Sequence, residues 1–475
     1  MIEPGEIDAA AESMGVHIAH VQRDYVFGWL LKCISEDPYL GPLLTLKGAT
    51  CFRKIYLPES RYSDDLDFSC VSMIDERAFA EALNRCCLNI EGVTAVHFNV
   101  ERTSVGLHRT IMGFNEVVRE VYRARLFFSD FYGNDEELSI AVQMDVSTLD
   151  VPLLATKRLP IVHPYSDRDL CAASVQCLAL EELLAAKLKC LLQRRHALDL
   201  FDMAYAHLWR NELGVERGQV VSAFLRKTIF ERSPGAAREI LLAVPTDGLE
   251  EDWRDRLVCP TNSRFDLGAA SERLAGFVSE IFSGIGSRGA GMEEFFPAAL
   301  RFPILRAGSE RRVIRLIYDG ASRLVEPYAL LFKKPENAQS REYFYGWNLE
   351  GGNSPPGWRS FLGHKIQRLE LTDVEFDPRV EIQLSKAAEA PQSASFRREH
   401  GLHSASRSAT TRQPRGTARR SISKQPRPSF QSQEFVLQCP YCQKKFKRTK
   451  RDSALRPHKA PGGYACGGRR GTFLT

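Results

Sequence analysis

Apolar and charged residues alternate along Asp65-Leu66-Asp67-Phe68, and the surrounding chain takes its order from that stretch. Read as a strand, period two puts Asp65 and Asp67 on one face and Leu66 and Phe68 on the other. Upstream, apolar positions Val16, Ile18, Val21, Val26, Trp29 and Leu30 predict a helix over residues 8–36, which Gly41-Pro42 ends. Leu43-Leu44-Thr45-Leu46 reads as a short buried strand entering a turn at Gly48, and 50–56 as a helix stopped near Pro58. Downstream come a helix over 75–89, strands over 95–100 and 125–129, and a Gly133-Asn134-Asp135 turn into a strand over 138–146. In that last strand Ile140, Val142, Met144 and Val146 share one face and Asp145 lies on the other. Residues 181–195 predict a helix with Glu181 and Glu182 at its start and Arg194 and Arg195 at its end, matching the macrodipole. A helical pattern continues from 203 to about 290.

From Arg301 the period changes. Strands are predicted at 312–318, 323–327, 328–332, 342–349 and 366–371, with Asp319-Gly320 as a tight turn, which suggests a small β-barrel. The fold class expected for the whole is α+β.

Two carboxylates one residue apart on a strand face make a hard-oxygen site suited to Mg²⁺, which also takes substrate phosphates. Gly48-Ala49-Thr50 offers backbone N–H groups and a hydroxyl at a helix start, where a phosphate is favoured. A solvated acidic turn is the competing reading of Asp64, Asp65 and Asp67; the preceding glycine turn, flanking Lys47 and Arg61, and the alternation favour a nucleotide–metal site. Asp145 is the candidate third carboxylate. Lys187 and Arg194 lie seven residues apart and share a helix face as a cationic ridge for triphosphate charge, with Asp199 and Asp202 together on the next helix.

Length and composition limit the rest. At 475 residues about three domains are expected, and 44% hydrophobic content supports substantial cores. The acidic start, Met1-Ile2-Glu3-Pro4-Gly5-Glu6, lacks an apolar signal core, and no run of about 18 apolar residues occurs, so a cytoplasmic location is expected. Most of the twelve cysteines are scattered, which fits a reducing compartment. The net charge of +5 conceals segregation: residues 396–475 carry 19 Lys and Arg against 3 Asp and Glu, leaving 45 against 56 elsewhere. An acidic body with a basic tail points to polyanion contact through the tail.

Residues 389–433 are rich in Ser, Arg, Gln and Pro and read as a flexible basic linker. Beyond it, Cys439-Pro440-Tyr441-Cys442, His458 and Cys466 have the ligand types and count of a tetrahedral Zn²⁺ site, with Phe446, Leu455 and Tyr464 as a small core. Lys444, Lys445, Lys447, Arg448, Lys450 and Arg451 give this finger, 434–475, a polyanion-facing surface.

Over residues 8–290 the motifs Lys47-Gly48-Ala49-Thr50, Arg61-Tyr62-Ser63-Asp64-Asp65-Leu66-Asp67-Phe68, Asp145 and Glu182…Lys187…Arg194…Asp199…Asp202 resemble, in order, the AbiEii nucleotidyltransferases. These are toxins of type IV toxin–antitoxin and abortive-infection systems, in the DNA polymerase β-like superfamily. The resemblance implies Mg²⁺ on Asp65 and Asp67, with Asp145 as the further acid that polarises the attacking hydroxyl. It implies nucleotide contacts from Lys47, Gly48, Thr50, Ser63 and Arg194, a catalytic role for Lys187, and Asp199 in the last motif. Two positions depart from the pattern: Ala49 stands where Gly or Ser is usual, and Leu198 where a basic residue precedes the last-motif Asp. Residues 301–388 resemble the WYL domain through Arg323-Leu324-Val325-Glu326-Pro327, Tyr343-Phe344-Tyr345-Gly346-Trp347 and Arg359-Ser360-Phe361, with Glu342 in the place of the name-giving Trp. That resemblance implies an anionic ligand held by Arg323, Tyr343, Arg359 and Lys365.

The expectation is therefore a transferase domain over 1–295, moving NMP from an NTP to an acceptor such as a tRNA 3′ end, followed by a sensor barrel, a linker and a zinc finger. A cognate antitoxin is the implied partner. Two alternatives stay open: a non-catalytic nucleic-acid-binding regulator with a decayed transferase core, and an enzyme that modifies a small molecule or protein.

Overall fold

The alternation at Asp65 builds a central strand of a seven-stranded sheet. A computed structural model describes residues 2–94, 96–112, 117–129, 131, 139–148, 150–284, 294–333, 340–352 and 355–389, and near the end 435–438, 445–448, 455, 458–459, 465–466 and 472–473. The chain divides into two units, Met1–Ser406 and Arg407–Thr475.

In the first unit the expected helix over 8–36 is two helices, α1 (Pro4–Met14) and α2 (Ile18–Glu36). Gly15 separates them in a left-handed conformation, φ 62°, and its N–H caps the carbonyls of α1. A short helix α3 (Leu40–Leu43) leads into β1 (Leu44–Lys47), and α4 (Gly48–Cys51) continues as a wider turn over Phe52–Tyr56. Then follow β2 (Asp65–Cys70), α5 (Glu76–Val93), β3 (Ser104–Met112), β4 (Val117–Ser129), β5 (Ser139–Ser147), β6 (Lys157–Pro160) and β7 (Ser174–Cys177). Their order in the sheet is β3-β4-β5-β2-β1-β7-β6. β2 runs parallel to β5 and antiparallel to β1. The strand expected over 95–100 is reduced to a bridge between Phe98 and Phe128, beyond the stretch of β4 that pairs with β3.

Leu46, Leu66, Phe68, Tyr122, Ala124, Leu126, Val142, Met144 and Val146 are buried on one side of the sheet, in one core with residues of α2 and α5. Opposite faces of the same strands carry Lys47, Asp65, Asp67, Arg123 and Asp145. Six helices complete this part: α6 (Leu180–Gln193), α7 (Ala197–Leu208), α8 (Arg217–Lys227), α9 (Pro234–Leu242), α10 (Glu250–Asp255) and α11 (Leu267–Ile281). Buried Leu184, Leu188, Leu191 and Leu192 fix α6 in the layer, and Arg195 lies beyond its end with φ 44°.

Helix α12 (Ala298–Ser309) precedes β8 (Arg312–Tyr318), β9 (Ala321–Lys333), β10 (Arg341–Gly351), β11 (Gly357–Leu362) and β12 (Ile366–Glu375). These form an antiparallel sheet in the order β11-β10-β9-β8-β12. The barrel expected from the sequence is thus an open sheet: among the described residues no pairing joins its edge strands β11 and β12. The strands expected at 323–327 and 328–332 are one strand, with a register shift opposite Tyr345/Gly346 that accommodates Pro327, which has no N–H to donate. Glu342 is fully buried, ion-paired with Arg301 of α12 and accepting the Phe296 N–H at 2.9 Å. A carboxylate at that position ties the sheet to its helix.

No described helix is long and apolar enough to cross a membrane. In the second unit β13 (Phe435–Gln438) pairs antiparallel with β14 (Lys445–Arg448) and β17 (Thr472–Phe473), and β15 (His458–Lys459) with β16 (Ala465–Cys466). Of the linker expected over 389–433 only Glu389 is among the described residues; it forms a bridge to Thr228 and an ion pair with Lys189 at 3.3 Å.

Candidate active site

Register assembles the acidic centre. Across the parallel pair β2/β5, Asp67 faces Asp145 and Asp65 faces Gln143; across β1/β2, Lys47 faces Asp67. Directly paired residues share a sheet face, so residues distant in sequence meet on one charged surface. The turn before α4 comes in close. Gly48 has φ 74°, and a Cβ on it would sit 2.2 Å from Asp67 Oδ2. Only glycine permits both the backbone conformation and that approach.

Asp65 is held from two sides. Ser63 Oγ donates to its Oδ1 at 2.8 Å, and Thr50 Oγ1 donates to its backbone carbonyl at 2.6 Å. Thr50 is buried, so in this structure its hydroxyl fixes the strand. Asp145 receives Arg123 Nε at 3.1 Å, from the paired position on β4. Asp64 is exposed and turns to an ion pair with Arg23 of α2.

Burial, then the charge of Asp65, pushes the Asp67 carboxyl up to about 7, with Asp145 adding to the effect and Lys47 and Lys187 opposing it. Too many carboxylates for the local positive charge is the arrangement a divalent cation relieves. Among the described residues no three His, Cys, Asp or Glu side chains already close into a metal-binding group. Mg²⁺ needs only one or two carboxylates when phosphates and waters complete its shell, and Asp65 with Asp67 suit that role.

The cations around this centre are mostly engaged. Lys187 Nζ bridges Asp199 at 2.8 Å and Asp202 at 2.7 Å, and is nearly buried. Burial opposes its charge, but the two carboxylates raise its pKa, and Lys187 and Arg194 hold the Asp199 carboxyl far below its ordinary range. Arg61 grips Asp202 through two nitrogens at 2.8 and 2.9 Å. Lys47 pairs with Asp150 at 2.9 Å; Lys227 joins that carboxylate at 3.1 Å and reaches Glu182 at 2.9 Å. Arg194 bonds Asp199 at 2.7 Å but is half exposed, leaving it free to face a ligand as well. The expected cationic ridge is thus layered, with Lys187 beneath and Arg194 outermost.

The stretch containing these residues has a family. A model described as nucleotidyl transferase AbiEii toxin, type IV TA system, matches residues 29–258. This stretch is an AbiEii nucleotidyltransferase domain. The chain is a nucleotidyltransferase, and every residue of the acidic centre lies inside the AbiEii match. Among solved structures, MenT4, a nucleotidyltransferase toxin from Mycobacterium tuberculosis H37Rv, is 18% identical with a TM-score of 0.39, over 58% of this chain and 89% of that one. No curated protein matches.

Sequence reasoning missed Arg123, Asp150 and Lys227 around the AbiEii centre. Alternation of Tyr122, Ala124, Leu126 and Phe128, all buried, was the signal that could have put Arg123 on the face of Asp145. Asp150 and Lys227 come together only through tertiary packing.

The other expected sites are dispersed or outside the described residues. Arg323 pairs in register with Leu316 and Gly351, and Arg359 with Gly346, on one face of the five-stranded sheet; Tyr343 pairs with Leu331 and Leu362 on the other. Lys365 binds Asp319 at 2.9 Å in the turn before β12. Strand parity sets Tyr343 apart from Arg323 and Arg359, and Lys365 lies in a turn outside the strands. Cys439 and Cys442 lie outside the described residues, while the backbones of His458 and Cys466 are direct partners across β15/β16.

Proposed function

We propose that this nucleotidyltransferase moves NMP from an NTP to an RNA 3′ hydroxyl, such as that of tRNA, in a Mg²⁺-dependent reaction that releases pyrophosphate. The register pairing of Asp67 with Asp145, beside Asp65, carries the reading. Asp65 and Asp67 hold Mg²⁺, which neutralises phosphate charge when bound. Asp145, oriented by Arg123, accepts the hydrogen bond of the attacking hydroxyl. As the acceptor oxygen bonds to the α-phosphorus, the bond to pyrophosphate breaks and the hydroxyl proton passes to solvent. Gly48 keeps the turn open to phosphate, Ser63 aligns Asp65, and Lys47 and Arg194 face the triphosphate charge. Lys187 and Asp199 fix the geometry from below.

The family description implies an NTP substrate and an antitoxin partner, and the reading puts the enzyme in the cytoplasm. The basic segment 390–475 supports an RNA acceptor through phosphate contacts. In it, Cys439, Cys442, His458 and Cys466 would bind Zn²⁺, a reading supported by the adjacency of His458 and Cys466 across two strands. Metal analysis of the purified full chain should give one zinc, lost in Cys439→Ser/Cys442→Ser.

The deciding experiment incubates the protein with bacterial RNA, Mg²⁺ and each labelled NTP, beside Asp65→Ala/Asp67→Ala. Label in a defined RNA band with wild type alone supports the reading and names the nucleotide. Label in protein or a small molecule instead would replace the acceptor.

A further inference from the structure

A cavity of about 680 Å³ lies between the α6–α7 junction, α10, α12 and the segment after β12, and none of Asp65, Asp67 and Asp145 lines it. Its volume suits a small-molecule ligand. Arg194, Arg195, Arg256, Arg306 and Arg311 all line it. The acids in its wall have cations of their own: Asp252 with Arg256 at 3.6 Å, Glu310 with Arg306 at 2.7 Å, and Glu381 with Lys386 at 3.6 Å. Arg195 and Arg311 remain, with no ion pair or hydrogen bond from either side chain among the described residues.

Their backbones make the point sharper. Arg195 and Arg311 have φ of 44° and 54°, and each stands just past a helix end, after the caps Arg194 of α6 and Glu310 of α12. Glycine is the usual residue there, because a left-handed conformation strains any residue with a Cβ. Helix dipoles favour a cation anywhere in a last turn, so they do not account for arginine at the strained position. Two such arginines from two helices line the same cavity. Strain of this kind is retained where side chains have work to do. Leu249, Phe302, Leu305, Ile382 and Leu384 supply apolar lining that suits a base.

We propose that the cavity between α6, α10 and α12 binds a polyphosphate ligand of nucleotide size through Arg195 and Arg311. It is a site separate from the Asp65–Asp67–Asp145 centre, and Arg194 is shared between them. Binding here does not depend on the proposed RNA acceptor or on metal at the acidic centre.

The test measures calorimetric binding of ATP and of inorganic tripolyphosphate to the full chain in EDTA, which withholds metal from the acidic centre. Wild type and Asp65→Ala/Asp67→Ala should bind equally, and Arg195→Gly/Arg311→Gly at least tenfold more weakly, while melting no lower than wild type because glycine relieves the strain. Arg195→Asn/Arg311→Asn, also tolerant of this conformation, should repeat the loss. ATP binding tighter than tripolyphosphate identifies a nucleotide; equal binding identifies the phosphate chain as the whole ligand. Undiminished binding by both arginine variants, or no binding by wild type, overturns the proposal. A loss of binding in Asp65→Ala/Asp67→Ala would assign the ligand to the acidic centre and also overturn it.

Discussion

Asp24 and Asp67 approach the same short segment of chain, from Gly48 to Tyr56, and their carboxyl groups move in opposite directions. Burial works to raise the Asp24 pKa, but Lys54 and Arg53 hold it down to about 2. Lys54 Nζ lies 2.6 Å away, Arg53 Nε 2.9 Å, and the Tyr165 hydroxyl donates at 3.0 Å. Asp67 meets burial and a second carboxylate, and rises to about 7. Around Asp24 the carboxylate's charge is answered by the chain itself, through two cations. Around Asp67 negative charge is left over, which a proton or a bound cation relieves. A matched centre contributes stability; an unmatched one spends stability on function.

The sharpest test of the contrast is a pair of asparagine substitutions. Asp24→Asn leaves Arg53 and Lys54 buried without their carboxylate and should cost about 3–5 kcal/mol in denaturant unfolding. Asp67→Asn should lower NMP transfer by about a thousandfold or more, about 4 kcal/mol in the barrier. In EDTA at pH 8 it should also raise the melting temperature by about 2–4 °C. The sign follows from linkage: a carboxyl raised on folding contributes stability below its unfolded pKa, and that contribution is lost as pH rises through about 7. Asparagine cannot ionise, so it escapes the loss. A metal-free Asp67→Asn protein that melts lower than wild type at pH 8 would remove the distinction between the two centres.

Acid should separate them further. Burial, then repulsion from Lys54, lowers His163 to about 4, and its Nε2 lies 3.0 Å from Asp167. Between pH 6.5 and 4 the unfolded chain takes up a proton that the folded chain refuses, so stability falls as pH falls, by about 3 kcal/mol over that range. Asp67 contributes with the opposite sign. His163→Gln should flatten the acid limb of a stability–pH profile between 6.5 and 4. An unchanged limb would move the sensitivity elsewhere.

Gly48 lies against Asp67 at the start of the segment that carries Arg53 and Lys54 to Asp24. Gly48→Ala puts a methyl 2.2 Å from Asp67 Oδ2 at φ 74°. One or the other must move, and a shift of about 1 Å at a reacting centre costs on the order of a hundredfold. Transfer should fall by that factor while the Asp24 centre, measured by the acid limb of unfolding, stays as it was.

Legibility in the sequence followed the same division. Strand β2, its acidic face and Asp145 could be read from alternation, because period two is a local signal. That Asp67 and Asp145 are register partners could not: the parallel pairing of strands some 75 residues apart is decided by the core that Leu66, Phe68, Met144 and Val146 share. Lys187 and Arg194 could be assigned to one helix face, but not that Asp199 and Asp202 would engage Lys187 first. The Asp24 centre was invisible, since its partners Arg53, Lys54 and Tyr165 show neither spacing nor period in common with it. The barrel expectation failed at its edges: short strands and tight turns specify neighbours, whereas closure depends on the register between β11 and β12.

The smallest expected effect compares two hydroxyls. Ser63 donates to Asp65 Oδ1 at 2.8 Å, and Tyr165 to Asp24 Oδ2 at 3.0 Å. Each is a hydrogen bond to a carboxylate, intrinsically stronger than one between neutral groups. Ser63 is only partly buried, so in Ser63→Ala water can replace the hydroxyl, and unfolding should stay within about 0.5 kcal/mol of wild type. What is lost is the alignment of Asp65, and transfer should drop about fivefold, near 1 kcal/mol in the barrier. Tyr165 is buried, no water takes its place, and Tyr165→Phe should cost about 1–2 kcal/mol in stability with transfer unchanged. The same atom type, removed from the same kind of partner, would then be read out in activity at one centre and in folding at the other. Equal losses of stability in the two variants would mean that both carboxylates are held for the fold alone.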